Sequence, residues 1–123
     1  RIHPTGYVDD DTLVEYYNAA DVVAVPSYYE GFGFPVLEAM ACETPVVTSD
    51  RSCLPEIAGD AALSVDPDDP GAIADGIEAV LRDHVMSLEL QQAGLERAKS
   101  FTWERTAEQT RLSYQRAIDT YAQ

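Results

Sequence analysis

The chain alternates short apolar runs with segments of helical spacing, and that alternation limits its fold more than any other feature. Asp21-Val22-Val23-Ala24-Val25 is a β-branched run closed by Pro26, and Pro45-Val46-Val47-Thr48-Ser49 is a second. Ala61-Ala62-Leu63-Ser64-Val65 reads as another strand, and residues 2–5 as the first in chain order, stopped by Gly6. Runs lacking polar alternation suit strands covered on both faces. Helical spacing fills the gaps. Leu13, Tyr16, Tyr17 and Ala20 follow the acidic triplet Asp9-Asp10-Asp11, which supplies N-cap candidates. Residues 36–42 follow Pro35, which suits a first helical turn because its missing N–H would be unpaired there. A single turn over 54–58 ends at Gly59. Ile73, Ile77, Val80 and Leu81 mark an amphipathic helix after the turn-rich Asp66-Pro67-Asp68-Asp69-Pro70. Two more helices, over about 85–99 and from the N-cap candidate Thr102 toward Tyr121, have no strand between them. The expected class is α/β: a partial Rossmann-like parallel sheet of about four strands flanked by helices, with a helical C-terminal end.

Parallel sheets of this kind bind ligands beyond the carboxyl ends of their strands. The loops that matter are therefore 6–11, 26–34, 49–53 and 66–70. A length of 123 residues fits one domain. No run reaches the roughly 18 apolar residues of a membrane span, and no leader pattern opens the chain. The start on Arg1, with a strand expected at once, reads as a fragment of a longer domain. Cys42 and Cys53 form no disulfide framework, and His3 and His84 are isolated, so no metal site is expected. Cys42 is expected as a small core residue.

Charge excludes several partners. The chain carries 22 acids and 8 bases, a net charge of −14. Residues 1–81 hold sixteen acids against Arg1 and Arg51, which is again −14, while residues 82–123 hold six of each. Nucleic-acid binding needs clustered Lys and Arg, and Lys99 is the sole lysine. Attraction to anionic lipid is disfavoured for the same reason. An acidic, lysine-poor surface suits either a high-salt cytoplasm or plain solubility. The expected location is cytoplasmic, with peripheral attachment to a membrane an alternative for a longer parent.

One loop carries most of the chemistry: Pro26-Ser27-Tyr28-Tyr29-Glu30-Gly31-Phe32-Gly33-Phe34-Pro35-Val36-Leu37-Glu38-Ala39-Met40. Glu30 and Glu38 are eight apart, a spacing that Glu96 and Glu104 share without such surroundings. Gly31 and Gly33 let the backbone turn and approach a ligand. They stand just ahead of a helix start, where unpaired N–H groups favour a phosphate. Carboxylates on either side, each able to accept from vicinal hydroxyls, suit a ligand with hydroxyls at both ends and phosphate between. A nucleotide sugar is such a ligand. The competing reading is a plain glycine turn, with Glu30 favouring the helix dipole and Glu38 solvated.

Residues 27–42 with Pro45-Val46-Val47 resemble the signature of the group-1 (family 4) retaining glycosyltransferases of the GT-B fold. Gly6-Tyr7-Val8, Leu13, Tyr17 and Ala20-Asp21-Val22 resemble the family segment before it. Pro55-Glu56, Gly59 and Asp66-Pro67-Asp68-Asp69 resemble the one after, so the likeness spans about residues 2–81. It implies that Glu30 is the catalytic-site carboxylate on the donor sugar. It implies that Gly31, Phe32, Gly33, Phe34 and Leu37 line sugar and diphosphate, and that Glu38 holds the ribose. Gly6, Tyr7 and Val8 then lie near the base. It implies transfer with retention, by front-face displacement, with no cofactor or metal beyond the nucleotide-diphosphate sugar.

The resemblance also implies missing parts: an N-terminal domain for the acceptor, and an upstream Arg and Lys that neutralise the diphosphate. This chain would then be the C-terminal portion of the donor domain, over residues 1–123. It is expected to bind donor weakly and to be inactive alone. Glu43 stands where the family usually has Gly, and Cys53 where a small residue is common. Asp9-Asp10-Asp11 reads as a helix cap rather than a metal-binding Asp-x-Asp. Trp103 is expected in the core, the alternative being an uncovered face on the last helix. A homodimer through an open sheet edge or that helix is expected. The alternative function is a non-catalytic α/β interaction or regulatory domain. A receiver-like signalling domain would need a lysine at a strand end, and Lys99 lies in a helical run.

Overall fold

Val23–Val25 form β1, Val46–Ser49 form β2 and Leu63–Val65 form β3 in a computed structural model that describes residues 1–121. Both pairings are parallel and the strand order is β1-β2-β3. Val23 sits opposite Val46, and Val47 opposite Leu63. All four residues of β2 are buried, as a central strand covered on both faces requires.

Alternation along β2 divides the core. Val46 packs with Val36, Ala39 and Met40 of α2 (Phe34–Ala41) and with Leu54 and Ile57 of α3 (Leu54–Ala58). Val47 points the other way, into a cluster with Val65, Val80, Ile73 and Ile77. The last three belong to α4 (Pro70–Arg82). A Cβ at Gly76 would stand 3.0 Å from Val65 and 3.4 Å from Val47, so α4 lies close against the sheet. Helix α5 (His84–Lys99) spans both clusters, Met86 and Leu90 packing on one and Ala98 on the other. Near its end, Arg97 Nε donates to the Ile57 carbonyl at 2.9 Å, and Nη2 to that of Glu56.

Aspartates cap three of the helix starts. Asp9 caps α1 (Asp10–Ala19) by accepting from the Thr12 amide, a bond that lowers its carboxyl pKa. Asp69 and Asp83 cap α4 and α5. Thr102 Oγ accepts from the Arg105 amide at the start of α6 (Trp103–Tyr121).

Three strands stand where about four were expected. Residues 2–5 form no strand and Ile2 is 93% exposed. Among the described residues β1 pairs with β2 alone, and this run does not add to its free edge. The run over 61–65 is extended only from Leu63, because Gly59–Ala61 close a 3₁₀ turn. Trp103 is 78% exposed rather than core, since α6 leaves the body after Phe101 and buries none of its described residues. Cys42 is half-buried at the end of α2.

Candidate functional site

The loop between β1 and α2 lies beyond the carboxyl end of β1, and its backbone is fixed from the next loop along. Ser52 Oγ donates to the Glu30 carbonyl at 3.0 Å and accepts from the Glu30 amide at 3.3 Å. Cys53 Sγ donates to the same carbonyl at 3.2 Å. Ser27 Oγ donates to Glu30 Oε1 at 2.8 Å, so the half-buried carboxylate keeps Oε2 for another donor. Ser27 and Glu30 are three apart, a spacing that was readable; the reach from Ser52 and Cys53 was not, because it crosses between two loops.

Gly33 then opens α2 at φ 99°, a left-handed conformation that glycine adopts without strain. A Cβ there would also stand 2.9 Å from Leu54. No side chain caps α2, whereas α1, α4 and α5 are each capped by an aspartate. Pro35 has no N–H and the Val36 and Leu37 amides return to the Gly33 carbonyl, so among the described residues the amides left without an acceptor here are those of residues 31–34, next to Glu30. An anion is the natural complement.

Phe32 and Phe34 stack on each other at 4.9 Å, and Phe32 meets Phe101 edge-on at 6.2 Å. Both rings remain exposed, facing the α5–α6 junction. With Leu37, Glu38, Phe101 and Trp103 they line a cavity of about 410 Å³. Glu38 lies in the second turn of α2, exposed, and accepts a hydrogen bond from Tyr17 Oη at 3.0 Å. Burial, then this bond and the nearby charge, push the Tyr17 pKa up to about 12. Burial and the Glu38 charge also raise that of Cys42. Tyr17 falls at the helical spacing of Leu13 and Ala20; its ring packs against the core and its hydroxyl reaches Glu38.

The structure thus brings Gly31, Phe32, Gly33, Phe34, Leu37 and Glu38 together around one helix start, with Glu30 just ahead of it. Gly6, Tyr7 and Val8 are not joined to them by any hydrogen bond among the described residues. Tyr7 is 95% exposed and Gly6 sits at φ 66°. Arg51 is occupied: it pairs with Asp68 at 2.6 Å, Asp66 at 2.9 Å and Asp50 at 3.8 Å. The bond from Asp68, then these charges, hold its pKa above the usual arginine value. Among the described residues, no group of three or more His, Cys, Asp or Glu is placed to hold a metal, and no helix is long and apolar enough to cross a membrane.

Residues 1–101 match the family described as glycosyl transferases group 1. The O-antigen chain mannosyltransferase B of Escherichia coli is 46% identical over 109 residues, covering 89% of this chain and 29% of that protein. The D-inositol 3-phosphate glycosyltransferase of Mycolicibacterium smegmatis is 42% identical over 113 residues, 90% of this chain and 26% of that protein. The chain spans under a third of the length of these relatives. Among solved structures, the sucrose-phosphate synthase of Thermosynechococcus elongatus superposes with a TM-score of 0.80 at 38% identity, covering 94% of this chain and 30% of that one. The C-terminal domain of a group 1 glycosyl transferase from Francisella tularensis gives 0.69 at 31% identity, over 77% and 50%. A parallel sheet with a glycine-bearing loop at its carboxyl end, and this set of likenesses, have one reading: the chain belongs to the group 1 glycosyltransferases and has their GT-B, Rossmann-like fold.

Proposed function

We propose that this chain is the C-terminal portion of the donor-binding domain of an enzyme that transfers a hexose from a nucleotide-diphosphate sugar with retention of configuration. Glu30 takes the sugar hydroxyls through its Oε2 oxygen. The amides of residues 31–34 take the diphosphate. Glu38 takes the ribose hydroxyls, with Tyr17 fixing its other oxygen, and Gly6, Tyr7 and Val8 lie toward the base. Leu37 closes the apolar side. Transfer breaks the bond from the anomeric carbon to the phosphate and forms one to the acceptor oxygen on the same face. A phosphate oxygen receives the acceptor proton.

The observation that carries this reading is the join of two features at one point. A carboxylate locked by Ser27, with its peptide locked by Ser52, stands beside a helix start that no side chain caps. The acceptor is bound by an N-terminal domain outside this chain, and the positive charge for the diphosphate comes from there or from upstream residues. Arg51 cannot supply it while three aspartates hold it. This segment alone therefore binds donor weakly and transfers nothing. Self-association through an open sheet edge or α6 belongs to the same proposal, and light scattering reads it directly.

Alanine at Glu30 and at Glu38, each made in the full-length protein, separates the roles. Loss of Glu30 lowers turnover about a hundredfold or more, the range for groups acting on the reacting centre. Loss of Glu38 raises the donor KM with a smaller effect on kcat. Unchanged turnover in both variants would leave the non-catalytic reading standing.

A further inference from the structure

Among the described residues, Glu43 and Ser52 are the non-glycine positions with a left-handed backbone, at φ 56° and 58°. Glu43 has a local reason. It follows the last turn of α2, where its amide and that of Thr44 return to the carbonyls of Met40 and Ala39, and such helix ends require a left-handed residue. Ser52 follows no helix; it is the second residue of the turn that the Leu54 amide closes on the Arg51 carbonyl at 3.3 Å. It stands in the short loop between β2 and α3, and it is exposed. A strained serine in a solvent-facing loop persists only when its surroundings over-determine it.

What Ser52 touches is Glu30. Its hydroxyl satisfies the carbonyl and the amide of that one residue, at 3.0 and 3.3 Å. In a sheet, a neighbouring strand takes up both backbone groups of one residue in this way. No strand remains to do so here, since β1 ends at Val25 and β2 at Ser49. Water could satisfy an exposed peptide equally well, so hydrogen-bond satisfaction alone does not account for the strained backbone. The Arg51–Leu54 turn accepts that backbone, and a serine within it carries a hydroxyl to the Glu30 peptide. Cys53, next in the chain, adds a third bond to the same peptide.

We propose that Ser52 is a positioning residue for sugar transfer. Its left-handed backbone carries the hydroxyl across from the second loop and fixes the Glu30 peptide, so that the carboxylate held by Ser27 meets the donor sugar in one orientation. Ser52 itself touches no substrate. The inference rests on the donor-site reading of Glu30.

The test uses the full-length protein with UDP-glucose and GDP-mannose as probes, reading nucleoside diphosphate release and the thermal midpoint. Ser52→Gly relieves the strain and removes the hydroxyl. Its midpoint is expected to hold or rise while kcat/KM falls about tenfold or more. Inhibition by the nucleoside diphosphate, which needs no Glu30, is expected to stay within about twofold. A raised midpoint with unchanged kcat/KM overturns the proposal, because it makes Ser52 a tolerated defect. Parallel loss of inhibitor affinity and turnover overturns it too, because it signals general loosening. Should Ser52→Gly fail to fold, Ser52→Ala removes the hydroxyl alone and is read by the same criteria. Glu30→Gln separates the two levels: wild-type turnover there fails the donor-site reading, whereas a loss there with wild-type turnover in Ser52→Gly fails only the role of Ser52.

Discussion

Tyr17 ties α1 to α2 through one hydroxyl, and the consequence is measurable as a proton. Its pKa of about 12 exceeds the ordinary tyrosine value of 10.0 because burial, and then the Glu38 carboxylate, disfavour the phenolate. The folded state therefore holds this proton after the unfolded chain has lost it. Stability from this source is intact below about pH 10 and is lost as pH rises toward 12. Absorbance titration of the seven tyrosines is expected to show one late step, absent in Tyr17→Phe. Glu43 offers a second residue-scale test. Its φ of 56° follows the end of α2, where glycine is the favoured residue. Glu43→Gly is expected to stabilise the fold by about 0.5–1 kcal/mol, read as a higher urea midpoint with an unchanged slope.

At the scale of elements, close approach decides how helices seat on the sheet. Gly76→Ala places a methyl against Val65, Leu63 and Val47. Overpacking costs about 1–3 kcal/mol, against a helix-propensity gain of about 1 kcal/mol, so a net loss is expected. Gly94→Ala meets the flexible side chain of Met40 at 3.1 Å and is expected to cost less. Comparing the two urea midpoints checks this. Elements of this kind were largely legible in the sequence. The apolar runs around Val23, Val46 and Val47, the single turn at Leu54–Ala58 and the caps at Asp9 and Thr102 announce themselves locally, although β1, expected to be covered on both faces, leaves Ala24 exposed. Residues 2–5 did not obey their local pattern: a strand exists only beside another strand, and this run does not reach the free edge of β1. Trp103 escaped for a related reason: helical spacing locates an apolar face but not whether anything covers it. In the site, the glycine loop and its flanking carboxylates were legible, whereas Ser52 and Tyr17 act across 22 and 21 residues of chain.

Over the whole molecule, the charge of −14 is sorted rather than spread. Asp9, Asp69 and Asp83 cap helices, while Asp50, Asp66 and Asp68 surround Arg51. The acidic half thereby builds the fold and leaves its uncapped amides at α2 as the place for an anion. The central claim is that Glu30, those amides and Glu38 share one nucleotide sugar. A crystal structure of the full-length protein with an intact nucleotide sugar tests it most directly. The sugar hydroxyls are expected within about 2.6–3.2 Å of the Glu30 carboxylate, phosphate oxygens on the amides of residues 31–34, and the ribose on Glu38. A donor seated elsewhere, with Glu30 still bonded only to Ser27, Ser52 and Cys53, would contradict it.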